Sequence, residues 1–168
     1  MVALRNLAPV VEYWKSDFHT TEPVTEVVPY VWPWNDLRQL LDDALENVSA
    51  MDAERRLLCL SNPGLDGAPY VTNTLLADVQ ALKPGERAPA HRHTTNSVRL
   101  SLEGDGAYTM VDGEKCYMKR GDVVTNLNWA WHHHGNEGTE NVIWMDVLDV
   151  PLVTTLGATT YDDDYAKE

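Results

Sequence analysis

Five of the six histidines in this 168-residue chain fall in two short groups, His91 and His93 in APAHRHTTNS and His132, His133 and His134 in WAWHHHGNEG. Imidazole is the commonest protein ligand for transition metals, so this clustering points first to a metal site. On a strand, residues at i and i+2 project to one side of the sheet, so His91 and His93 can grip one ion together. The same parity sets His132 and His134 on a shared side and turns His133 away. One ion would then see three or four imidazoles delivered by two strands. Iron, zinc and nickel all accept such a donor set, and spacing alone leaves the metal open.

The elements that must carry these groups are short strands broken by turn signals. Strands are predicted over 56–60, 72–82, 97–102, 106–111, 114–118, 123–127 and 141–148, and the Asp112-Gly113 step is a strong hairpin signal. Many short strands with such turns mean an all-β jelly-roll barrel or sandwich. Ahead of them, Leu37, Leu40, Leu41, Ala44, Leu45 and Val48 recur at helical spacing. They predict a packing helix over 36–48, with Asn35 as its N-cap and no chemistry of its own. Residues before 36 interleave Trp14, Phe18, Tyr30, Trp32 and Trp34 with Pro23, Pro29 and Pro33. That is an extended arm, and so apolar a segment needs a surface, on its own barrel or on a neighbouring subunit. The chain therefore divides into an arm and helix (1–50), a barrel domain (51–155) and an acidic tail (156–168), with Asp162, Asp163 and Asp164 expected in solvent.

Two further charged residues sit where charge is costly. In SVRLSLE, Val98, Leu100 and Leu102 share one face, which leaves Arg99 on the other with the parity of His91 and His93. A guanidinium facing that cavity needs an anion, either a structural carboxylate or a ligand. Asp146 interrupts the apolar run VIWM-D-VL, where an unpaired carboxylate would be expensive to bury. Trp129, Trp131 and Trp144 are candidates for the pocket wall.

Composition narrows the partners. With 43% apolar residues the chain can bury a real core, and its formal charge of -13 repels nucleic acid and anionic membrane surfaces alike. Cys59 and Cys116 lie far apart without a C-x-x-C spacing, as expected of reduced thiols in a cytoplasmic protein. Neither a basic-then-apolar leader nor a bilayer-length apolar run is apparent, so no membrane association is expected.

GERAPAHRHTTNSVRLSLEG (85–104) resembles the first motif of the cupins, and GDVVTNLNWAWHHHGN (121–136) resembles the second, with His132 in its ligand position and Asn136 as its final asparagine. Ser97 stands where the first motif usually has a ligating glutamate, and Leu127, Asn128 and Trp129 replace the P-x-G of the second. Asn128 is expected to adopt the turn conformation that glycine supplies there, since asparagine visits left-handed backbone readily. Within cupins, the words AERR (53–56), NPGL (62–65), TNTLLA (72–77), GAYTMVDGE, WHHHGNEG and VIWMDVLDVPLV are similar to the gentisate 1,2-dioxygenases and their salicylate and 1-hydroxy-2-naphthoate relatives. The resemblance covers the N-terminal cupin half of a family whose members typically carry two tandem cupins. It implies either a single-cupin relative or part of a longer enzyme.

The resemblance implies a cupin jelly roll with an N-terminal arm and one or two short helices. It also implies Fe(II) held by His91, His93 and His132. Arg99 would contact the substrate carboxylate, His134 would donate a hydrogen bond to substrate or oxygen, Asp146 would support binding, and Gln80 and Arg55 would line the pocket. The implied reaction is oxygen-dependent ring cleavage of an ortho-hydroxybenzoate, gentisate to maleylpyruvate, with both oxygen atoms of O2 entering the product. Partners would be a small aromatic hydroxy acid and O2, in a cytoplasmic homo-oligomer. The competing readings are a metal or ligand-binding module without turnover, and a different metal-cupin isomerase.

Overall fold

The computed structural model describes residues 20–49 and 56–165. Two antiparallel five-stranded sheets face each other, in the orders β1-β2-β9-β4-β7 and β10-β3-β8-β5-β6. In chain order the elements are α1 (Trp34–Asn47), β1 (Leu57–Cys59), β2 (Leu76–Leu82), β3 (Arg87–His93), β4 (Ser97–Glu103), β5 (Ala107–Val111), β6 (Glu114–Met118), β7 (Val123–Asn126), β8 (His132–Asn136), β9 (Val142–Leu148), α2 (Val150–Thr155) and β10 (Tyr161–Asp162). This is the expected all-β jelly roll. Among the described residues no helix is long and apolar enough to cross a membrane.

The strands β2 and β9 are buried on both faces, and alternation sorts what each face carries. Ala77, Val79, Ala81 and Ile143 point outward into an apolar cluster with Leu41 and Leu45 of α1, against which Trp32 and Leu37 also pack. The opposite parity points into the barrel. At one end of that interior Leu82, Ala107, Met118, Val142 and Trp144 form a second apolar cluster, and the other end is polar. On β4 the apolar Leu102 packs with the outer cluster and Val98 is exposed, so the inner face is Ser97, Arg99 and Ser101, all buried.

Several local expectations need correction. The helix begins at Trp34 behind Pro33, whose fixed φ suits a helix entrance, so Asn35 lies inside the first turn and is no cap. Of its six apolar positions only Leu41 and Leu45 are buried, and Leu40 is 53% exposed, because one sheet face covers a narrow stripe. Residues 72–75 form a turn tied by Thr72 Oγ1, which accepts from the amides of Thr74 and Leu75, rather than the start of a strand. The arm does lie on its own barrel at Val28, whose amide and carbonyl both bond the Asn62 side chain. Trp14 and Phe18 of that arm fall outside the described residues. Tyr161 and Asp162 are not solvated tail: they pair with β3, opposite His93 and Arg92. The Asp112-Gly113 turn is as expected, with positive φ at both residues joining β5 to β6.

Candidate metal centre

The register of β3 decides which way its histidines point. Arg87 and Ala88 oppose Gly135 and His134, but His91 opposes His132, a one-residue slip between Ala88 and His91. Pro89 has no N–H to give to a ladder, so a bulge forms there, and a bulge re-aims the side chains beyond it. Ala88 and His91, three residues apart, are consequently both buried. On the facing strand His132 and His134 are buried, while His133 turns outward against Tyr108.

The candidate ligand atoms of His91, His93 and His132 all lie within 4.8 Å of one another. Each ring is oriented from behind by a main-chain carbonyl: Nδ1 of His91 sits 3.1 Å from Pro89 O, that of His93 2.8 Å from Thr95 O, and that of His132 2.8 Å from Ala130 O. A carbonyl only accepts, so each Nδ1 carries the proton and the lone pair is left on Nε2. A ring nitrogen fixed this way is the usual support of a metal-ligating imidazole. Three neutral imidazoles converging from two strands fit a divalent transition metal ion. Ser97, at the position of the missing glutamate, is buried on the cavity wall beside them.

His134 does not join this group. Its imidazole is packed against Arg99, whose Nη2 lies 3.1 Å from Nε2 and whose Nη1 bonds Nδ1. Thr109 Oγ1 lies 3.1 Å from the same Nδ1. Arg99 itself grips Asp146 with two bonds, Nε to Oδ1 at 2.7 Å and Nη2 to Oδ2 at 2.6 Å, and donates from Nη1 to Thr109 Oγ1 at 3.0 Å. Its guanidinium carbon stands 4.7 Å from the Trp144 ring centroid, and Trp144 Nε1 donates to Asp146 Oδ2. The register places Arg99 directly opposite Asp146, and Asp146 opposite Asp78. Both Arg99 and Asp146 are thus partners within the cavity wall.

These groups line a cavity of about 270 Å³ shared by His91, His93, His132, Arg99, His134, Asp146, Gln80, Asp78 and Tyr161. Gln80 is 2% exposed, and its Nε2 has no hydrogen-bond partner among the described residues. One guanidinium faces two carboxylates here, so a bound divalent cation would tip the cavity towards anionic ligands. Arg55 lies outside the described residues. Its neighbour Arg56 is structural: buried, it donates to Val48 O and Ala81 O and forks onto Glu86. The tryptophans fare differently from expectation. Trp144 supports the cavity from beneath Arg99, but Trp129 and Trp131 lie outside it, both against the Arg92 guanidinium. The left-handed turn falls at Trp129, with φ of 60°, not at Asn128. There the Trp129 amide donates to His93 O at 2.7 Å, tying the turn to one of the three converging histidines. Asp78 and Tyr161 went unread in the sequence. Asp78 interrupts LADVQAL as Asp146 interrupts its own run, which was the available signal.

Comparison with known proteins agrees with this geometry. Residues 78–148 match the cupin domain family. The chain is 40% identical over 163 residues to a gentisate 1,2-dioxygenase of Aquipseudomonas alcaligenes, covering 97% of this chain and 46% of that protein. It is 39% identical over 137 residues to a 1-hydroxy-2-naphthoate 1,2-dioxygenase of a Nocardioides species, covering 80% and 35%. The crystal structure of salicylate 1,2-dioxygenase from Pseudoaminobacter salicylatoxidans with gentisate superposes with a TM-score of 0.86 at 34% identity, over 96% of this chain and 44% of that one. The matched segment and the two-sheet jelly roll around it are those of a cupin domain. Within that superfamily the chain's relatives are the gentisate 1,2-dioxygenases, with the salicylate and 1-hydroxy-2-naphthoate dioxygenases beside them. It spans less than half the length of each of these proteins.

Proposed function

We propose that this chain carries the active site of an Fe(II)-dependent, ring-cleaving dioxygenase acting on gentisate-type ortho-hydroxybenzoates. The observation that carries the reading is the set of three carbonyl-oriented imidazoles in one cavity with the Arg99–Asp146 pair. In this reading His91, His93 and His132 hold the metal. Iron held by these three imidazoles would supply open positions for a chelating hydroxy acid and for O2.

The chain's own residues then bind and orient the acid. Arg99 offsets the carboxylate charge of the substrate. Four of its five N–H donors have acceptors, because a neutral imidazole accepts through one nitrogen only; an incoming carboxylate can take the N–H that faces the protonated nitrogen of His134, and neutral His134 is more readily displaced than charged Asp146. His134, once displaced from Arg99, is within reach of the substrate as a hydrogen-bond donor. Asp146 keeps the guanidinium in its plane, and Gln80 Nε2 offers a donor that currently has no acceptor. Arg55 is assigned to the pocket by resemblance alone. The product from gentisate would be maleylpyruvate. The charge of -13 and the two free thiols, Cys59 and Cys116, support a cytoplasmic protein that avoids nucleic acid and membranes. The exposed Val31 and Tyr30 of the arm support a homo-oligomer.

Oxygen uptake by the anaerobically Fe(II)-loaded protein tests the reading, with gentisate first and salicylate second. Uptake equal to the acid consumed, and dependent on iron, is the expected result. Full iron occupancy without uptake would overturn it and leave a metal-binding module.

A further inference from the structure

The cavity has one wall whose construction the metal ligands do not explain. After α2 the chain turns at Gly157 and runs back along the edge of β3 opposite to β8. Thr94 holds it there: its Oγ1 donates to Ala158 O at 2.7 Å and accepts from Thr160 N at 2.9 Å, and its amide donates to Thr160 O at 3.1 Å. A two-residue strand such as β10 has little pairing of its own, so it depends on side chains for its hold. Arg92 provides them, donating from Nε and Nη2 to Asp162 Oδ2 at 3.1 and 2.8 Å. The same guanidinium lies 4.6 Å from the Trp129 ring centroid and 4.5 Å from that of Trp131, and both aromatic contacts help to hold it.

What this latch holds in place is Tyr161. Its ring lines the cavity and stacks on His91, with centroids 5.6 Å apart and planes 24° apart, yet the residue stays 48% exposed. A large ring fixed in the cavity wall and still partly exposed offers an apolar edge to a planar ligand held in the cavity. β3 therefore serves two ends, with His91 and His93 turned to the cavity and Arg92 between them turned to the strap.

We propose that Tyr161 is a specificity-determining residue that covers the aromatic ring of the bound acid, and that Arg92 is a positioning residue that keeps Tyr161 there through Asp162. This rests on the functional reading above for the identity of the acid. Tyr161 favours a planar aromatic acid over an aliphatic hydroxy acid that presents the same chelating oxygens. The aliphatic acid has no ring to lay against it.

Tyr161→Ala, Tyr161→Phe, Arg92→Gln and Asp162→Asn, each loaded anaerobically with Fe(II), test the assignment by calorimetry with salicylate and with glycolate. Tyr161→Ala is expected to weaken salicylate about tenfold, the worth of one aromatic contact and its burial, and to leave glycolate and iron content unchanged. Tyr161→Phe should bind as the unmodified protein does. Arg92→Gln and Asp162→Asn should each give a smaller loss together with faster amide exchange over 158–162. Unchanged salicylate affinity in Tyr161→Ala would overturn the proposal. So would an equal loss for both acids, or loss of iron, since either makes Tyr161 a mere support for His91. Binding of salicylate without oxygen uptake would fail the functional reading alone. Binding of neither acid by the unmodified protein would overturn the proposal as well, since there would be no ring for Tyr161 to cover.

Discussion

The two faces of β2 and β9 carry opposite chemistry. Outward, Ala77, Val79, Ala81 and Ile143 meet Leu41 and Leu45 in a wholly apolar layer. Inward, at the opposite parity, Asp78, Gln80 and Asp146 line the cavity with the histidines. A single-residue slip would exchange the two sets, so burial of the outer face is what pins the inner face to its task. The difference teaches where this chain keeps its stability and where it spends it: the helix side holds the sheet, and the cavity side tolerates buried charge.

Substitutions on the inner face should break function while leaving the sheet standing. The largest effect is expected for His91→Ala, which removes one of three converging imidazoles; iron content after anaerobic loading and desalting should fall to background while the far-ultraviolet circular dichroism is unchanged. Arg99→Ala should retain iron but lose salicylate binding. Because it strands Asp146 in the cavity wall, it should also cost about 3–5 kcal/mol of unfolding free energy, read from urea titration. Leu45→Ala sharpens the contrast from the other side. Truncating a side chain 3% exposed in the outer cluster should cost about 2–5 kcal/mol, yet the folded fraction should keep full iron occupancy and acid affinity.

Much of this was legible in the residues. The i, i+2 histidines, the Asp112-Gly113 hairpin and the charged interruptions at Arg99 and Asp146 each break or keep a period of two, and the barrel follows from that period. What could not be read has a physical reason in each case. Parity placed Arg99 on the inner face, but only the register across β4 and β9 makes Asp146 its partner, and sequence spacing does not contain that register. His134 shares the parity of His132, yet the bulge at Pro89 draws His91 and His93 to His132 and leaves His134 to Arg99. Pro89 within a strand was the signal for the bulge. The strap was hidden because Asp162, Asp163 and Asp164 look like solvated charge, and only the Arg92 fork distinguishes the first of them.

The second buried arginine–carboxylate pair sharpens the comparison once more, at the smallest scale. Arg56 forks onto Glu86 with bonds of 2.9 and 3.1 Å, and the Lys83 amide donates to the same carboxylate at 2.7 Å. The hydrogen bond from Arg56 is the main cause that holds the Glu86 carboxyl below its ordinary value of 4.5, against the opposing effect of burial. A carboxyl lowered in the folded state stabilises fully above its unfolded value, and that contribution fades as pH falls towards its folded value. Glu86→Gln should therefore be less stable than the unmodified protein at neutral pH, by about 1–2 kcal/mol for one charged hydrogen-bonded pair at a partly exposed carboxylate. The gap should narrow steadily as urea titrations are carried down through the region below 4.5. Iron occupancy and salicylate affinity should not move at all, because this pair ties the end of α1 to the turn between β2 and β3 and touches nothing in the cavity. A loss of iron in Glu86→Gln would mean that the turn before β3 helps to aim His91, and that the division between supporting and binding regions is less sharp than the two faces of β2 suggest.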